Sequence, residues 1–138
     1  MNVILKILHP MLWTAVTVAF HVMAMLREMF AWESMSEGLL GFTPAQAKLT
    51  EAMAANQGIY NGFIAVGLIL TFVPALSAEQ RGILRVYLLI CAMVAGIFGT
   101  VTIALPVWPD LKTLAIFAAQ WVPPVLAMAG LLLRRRAG

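Results

Sequence analysis

A chain of 138 residues that is 62% hydrophobic and 11% charged, with a mean hydropathy of +0.93, lies far outside the composition of a soluble domain. Its net charge of +3 comes largely from the run Arg134-Arg135-Arg136. With no basic face interleaved with aromatics, that charge argues against a nucleic-acid partner and for orientation in a lipid bilayer.

Four apolar runs, at about 3–30, 53–76, 83–105 and 111–133, have the length of membrane-spanning helices. They predict an all-α integral membrane protein, a single four-helix transmembrane domain with antiparallel, up-down topology. Little chain is left over, so any chemistry must sit inside the bundle or at its mouth. The lone Cys91 has no partner for a disulfide within the chain and reads as a small core residue.

The first helix is expected to begin near Asn2 and to run to about Trp32. It is too long for a signal peptide and lacks a small-x-small cleavage pattern, so it reads as a retained helix. His9 reads as an interfacial histidine. Thr14 lies seven residues before His21 and Glu28 seven after, so each falls within about 20° of the histidine's direction, and Trp32 joins them. Glu28, beside Arg27, either marks the water boundary or serves the site. His21 lies about 10 Å deeper, and two readings stand for it: a ligand contact, or a structural buried hydrogen bond.

Glu33-Ser34-Met35-Ser36-Glu37-Gly38 reads as an acidic loop. Thr43-Pro44 is a helix start, with threonine as N-cap and proline in the first turn. The second helix then enters the bilayer at about Met53 and carries Asn56, Gln57, Tyr60 and Asn61 within an arc of about 140°. Gly58 and Gly62 lie together on the other side, where a neighbouring helix can approach closely. Hydrocarbon offers the amides no hydrogen bonds, so they need a protein partner, water or a ligand.

The turn 77–82 is capped by Ser77 and shows no visible chemistry. In the third helix Gly96, Gly99, Thr100 and Thr102 supply small residues suited to packing. Pro106-Val107-Trp108-Pro109-Asp110 reads as a rigid turn, with Trp108 as interface anchor and Asp110 as cap of the last helix. That helix carries Gln120, which either satisfies a carbonyl freed by Pro123-Pro124 or completes the polar pocket; a kink is expected there. Six Lys and Arg residues (Lys6, Arg81, Arg85, Arg134, Arg135, Arg136) fall on the side of the termini and three (Arg27, Lys48, Lys112) on the other. This asymmetry predicts cytoplasmic termini in a bacterial-type inner membrane.

Glu28-Met29-Phe30-Ala31-Trp32 followed by Ala55-Asn56-Gln57-Gly58-Ile59-Tyr60-Asn61-Gly62-Phe63, with His21 upstream, resembles the small four-helix membrane proteins of the domain-of-unknown-function 1304 family over essentially the whole chain. Tyr60-Asn61-Gly62 and the helix ending in Val73-Pro74 are similar to part of styrene oxide isomerase, a trimeric four-helix enzyme that opens epoxides with a ferric haem. That resemblance would make Asn61 a substrate-orienting residue. Its haem-ligating position falls on Ala55, which leaves His21, from another helix, as the residue to ligate a haem b. Length and layout are also similar to the trimeric membrane-associated eicosanoid and glutathione metabolism proteins. Asn56 matches the asparagine of their Arg-x-x-x-Asn-x-x-Glu pattern, but Ala52 and Ile59 stand where its arginine and glutamate would, so glutathione transfer does not carry over.

The expected site joins His21, Glu28, Tyr60 and Asn61 as catalytic groups to Asn56, Gln57, Gln120 and Trp32 as ligand-binding groups, in one cavity open to the outer leaflet. Its expected occupant is a small lipophilic molecule, which the protein binds and isomerises. The alternative is a non-catalytic protein holding a lipid, a quinone-like molecule or a partner, with the amides as interhelical glue. A transporter is disfavoured by the absence of an inverted repeat. The glycine faces, with the resemblance, predict a homo-oligomer, and the resemblance alone favours a trimer.

Overall fold

Thr43 shows why the second membrane helix starts where it does. Its hydroxyl accepts the N–H of Gln46 at 3.3 Å, while the Gln46 side chain accepts the Thr43 N–H at 2.8 Å, and Pro44 occupies the first turn. Ser77 and Gln80 build the same reciprocal cap at the next helix. The computed structural model describes residues 6–137, and side chains as far as residue 135. Its helices are α1 (Pro10–Phe30), α2 (Trp32–Leu40), α3 (Pro44–Leu70), α4 (Ala78–Gly99) and α5 (Leu111–Ala137). A π-helical turn, Thr100–Ala104, and a last turn, Leu105–Val107, prolong α4. There is no strand among the described residues.

Four of these helices are long and apolar enough to cross a membrane: α1, α3, α4 with its extension, and α5. They close into a ring in which α1 packs on α3 and α5, and α4 packs on the same two. Glycine contacts give the directions. Gly62 faces Met25 and Gly58 faces Met29, so α3 descends as α1 rises. Gly96 faces Gln120 and Gly99 faces Phe117, so α4 and α5 are also antiparallel.

The centre of the bundle holds Leu68, Leu89 and Ala127, with Trp13, Ile64, Leu88 and Met128 packed around them. Large apolar side chains such as Phe30, Phe63 and Phe98 point outwards, the arrangement expected when the surrounding solvent is hydrocarbon. Buried Thr14 and Thr17 are satisfied within their own helix, each donating at 2.8 Å to the carbonyl four residues back.

Several boundaries differ from the sequence expectation. The expected start near Asn2 lies outside the described residues. Residues 33–38, expected as a loop, form most of α2, which stops at Gly41 in the left-handed conformation (φ 67°). The third helix α3 ends at Leu70 because Pro74 cannot donate, and the Thr71 hydroxyl closes the end on the Leu68 carbonyl at 2.7 Å. Beyond Gly99, α4 continues to Val107: Pro106 has no N–H for the carbonyl four residues back, the turn widens, and the Trp108 N–H recovers the Ala104 carbonyl at 2.9 Å. In α5 the helix runs through Pro123 and Pro124, both of which are buried.

Candidate functional site: a polar bridge between α1 and α3

Gly58 and Gly62 decide how α3 meets α1. A Cβ on Gly58 would lie 2.5 Å from Cγ of Met29 and 3.2 Å from the Met25 carbonyl; one on Gly62 would lie 2.9 Å from Sδ of Met25. Only glycine permits this approach, and with Ala47, Ala54, Ala65 and Leu68 the two make up the buried face of α3. At 100° per residue Asn61 stands about 60° from Gly58, at the edge of that face.

There Asn61 joins two side chains of α1. Its Oδ1 lies 2.6 Å from Nδ1 of His21, and its Nδ2 donates to Oε2 of Glu28 at 2.6 Å. The chemistry of the groups sets the direction of the chain. A carboxylate oxygen only accepts, so it turns the amide nitrogen towards Glu28 and the amide oxygen towards His21. That oxygen also only accepts, so the imidazole proton sits on Nδ1 and Nε2 carries a bare lone pair. His21 is completely buried, with the Phe20 ring edge-on at 5.5 Å, and Nε2 has no hydrogen-bond partner among the described residues. Glu28 is half-buried and stands at the open end of the bridge. A fully orphaned acceptor is uncommon in a protein interior. This one is held in a fixed tautomer by an amide that is itself held by a carboxylate.

The remaining expected site residues lie elsewhere. Asn56, Gln57 and Tyr60 are exposed on the outside of α3, where the Tyr60 ring meets Phe63 edge-on at 6.2 Å. The expectation that the amide arc turns towards α1 is corrected: the glycine face made that contact, and Asn56 and Tyr60 lie about 160° away from Gly58. Trp32 donates from Nε1 to the Thr50 hydroxyl at 2.9 Å and stacks edge-on with Phe42, which in turn meets Trp108, so it belongs to an aromatic cluster at the end of the bundle. Gln120 rests its Cβ and Cγ against Gly96 and takes no part in the bridge.

Sequence reasoning missed Trp121, whose buried indole N–H is the other polar side-chain atom without a partner among the described residues. An indole beside two prolines reads equally well as packing, so no sequence signal marked it. It also missed that Met25 and Met29 lie over the glycines next to the bridge.

Among the described residues no three His, Cys, Asp or Glu side chains cluster as metal ligands. A haem b on His21 would need open space over Nε2 for the porphyrin plane. That nitrogen is enclosed by protein, so the residues present do not fit the group.

A family model described as "Protein of unknown function (DUF1304)" matches residues 15–132, a stretch that contains the whole bridge. No curated protein and no solved structure matches the chain. The likenesses to styrene oxide isomerase and to the eicosanoid and glutathione proteins therefore rest only on the residues that suggested them.

Proposed function

The chain belongs to the DUF1304 family of proteins of unknown function, and from the bridge between its first and third helices we propose that it binds a small lipophilic molecule at Nε2 of His21 and shifts a proton on it. The observation that carries this reading is the buried, unpartnered Nε2 at the end of the chain Glu28–Asn61–His21. Its lone pair accepts a proton from an O–H, N–H or activated C–H of the ligand. The resulting imidazolium keeps its Nδ1–H bond to Asn61, whose amide passes on the stabilising field of the Glu28 carboxylate. Returning the proton to a second atom of the same molecule gives an isomerisation with no net change in protonation and no co-reactant. Entry requires side chains to yield. Met25 and Met29, unbranched and lying over Gly62 and Gly58, are the neighbours of the bridge best suited to do so.

The complete enclosure of Nε2 favours a second reading, in which the bridge is a non-catalytic lock between α1 and α3. Small-molecule mass spectrometry on gently purified protein separates the two. A retained molecule that disappears in His21→Ala while assembly is unchanged supports binding; loss of assembly in that variant supports the lock.

We further propose that the exposed face of Asn56, Gln57 and Tyr60 is covered by a second copy of the chain. By helical rise Asn56 stands about 18 Å from Pro44 and about 21 Å from Leu70, so this face lies at membrane depth. Primary amides carry both donors and acceptors, which makes such a face self-complementary. Charge asymmetry supports cytoplasmic termini in an inner, plasma-type membrane.

A further inference from the structure

The turn between α3 and α4, which shows no chemistry as sequence, is the floor of a cleft of about 500 Å³ lined by Met11, Thr71, Phe72, Pro74, Arg81 and Arg85, among others. Both arginines are half-buried. Arg85 donates from Nε to the Thr71 hydroxyl at 3.1 Å and from Nη2 to the Thr71 carbonyl at 2.7 Å, and its guanidinium lies 5.7 Å from the centre of the Phe72 ring. Arg81 donates from Nη1 to the Leu76 carbonyl at 2.9 Å and to the Val73 carbonyl at 3.5 Å. Arg85 is thus fixed by the residue that follows the C-terminal end of α3, and Arg81 by carbonyls of the turn between α3 and α4. Among the described residues their remaining donors, Nη1 of Arg85 with Nε and Nη2 of Arg81, have no acceptor. Neither arginine has a carboxylate partner among the described residues, where the ion pair present is Lys48–Glu51.

Two fixed guanidiniums side by side repel one another unless an anion lies between them. A phosphate suits these donors, because its several oxygens accept from both forks at once. The cleft is also apolar below, through Met11, Phe72 and Pro74, and opens at the end of the membrane-crossing helices, where headgroups lie. We propose that this cleft binds the phosphate of an anionic membrane lipid, with Arg81 and Arg85 on the headgroup and Met11 and Phe72 against the start of its chains. In the orientation given above, the lipid belongs to the cytoplasmic leaflet, the more anionic one.

The test is native mass spectrometry of the full chain, released from nanodiscs of phosphatidylcholine mixed with phosphatidylglycerol. Preferential retention of phosphatidylglycerol is expected. Arg81→Gln should reduce that preference roughly fivefold, the effect of removing one guanidinium near the headgroups, while Lys112→Gln at the other end of the bundle leaves it unchanged. Arg85→Gln should do the same, and because Arg85 also ties down the end of α3, Arg81→Gln with an unchanged melting temperature is the deciding variant. Equal retention of both lipids, or an unaltered preference in Arg81→Gln, would overturn the proposal. Displacement of the lipid by equimolar inorganic phosphate would overturn the lipid as the source of the anion.

Discussion

Asn61 is the residue on which the bridge depends, because among the described residues it alone hydrogen-bonds both His21 and Glu28. Asn61→Ala should remove both bonds at a cost of about 1–2 kcal/mol, the scale of interhelical hydrogen bonds in membranes, and leave the fold assembled. Loss of the imidazole-to-amide bond should appear as a change in the His21 ring nitrogen resonances, with the fixed Nδ1–H tautomer giving way to a mixture. Unaltered resonances would show that the amide does not set the tautomer. His21 and Glu28 were legible as a pair from their seven-residue spacing. Asn61 was legible only as one member of a polar arc, since nothing local separates it from Asn56, Gln57 and Tyr60. A second residue-level test lies outside the membrane. Asp110 accepts the Thr113 N–H at 2.9 Å at the start of α5, and this bond, with the Thr113 hydroxyl, holds its carboxyl below the ordinary range. A depressed folded-state value means that the stabilisation is present above the ordinary aspartate value and disappears as pH falls through the depressed one. Helicity followed by circular dichroism during acid titration should therefore lose a component in that interval, and Asp110→Asn should lack it.

At the level of elements, glycines set the distances between helices. A Cβ at Gly130 would run into the Leu8 backbone carbonyl, which cannot yield as a side chain can. One at Gly58 meets Cγ of Met29 and lies close to the Met25 carbonyl, and one at Gly62 meets only the flexible end of Met25. Alanine substitutions should thus be ranked Gly130, Gly58, Gly62 in decreasing damage, with Gly58→Ala costing about 1–3 kcal/mol; melting temperatures in one detergent check the order. The same contacts explain what the sequence left open. The α3 helix has a small-residue face and an amide face, and hydrophobic periodicity does not say which of them meets α1. Close packing decided, because Met25 and Met29 fit over Gly58 and Gly62. Gly96 and Gly99 are likewise covered inside the bundle, by Gln120, Trp121 and Phe117. The proposed self-association therefore rests on the exposed amides and not on these glycines. The caps at Thr43 and Ser77 were readable from local sequence because their chemistry is local. The helix α2 was not, since acidic and serine residues suit a loop and a first helical turn equally.

For the whole molecule, composition and the four long apolar segments specify a membrane-embedded helical bundle. Two proposals at this scale have direct checks. A reporter active only outside the cytoplasm, fused after Gly138, should be silent; activity there would reverse the orientation. Detergent-corrected mass measurement should give an oligomer, which Asn56→Leu with Gln57→Leu should weaken; a monomer across mild detergents would remove the proposed interface. At the bridge, the enclosed Nε2 of His21 is proposed to meet a ligand. That contact is tested most directly by small-molecule mass spectrometry comparing gently purified wild-type protein with assembled His21→Ala. A lipophilic molecule retained by the wild type and absent from the variant is the expected result; the same molecules in both, or none in either, would contradict ligand binding at Nε2.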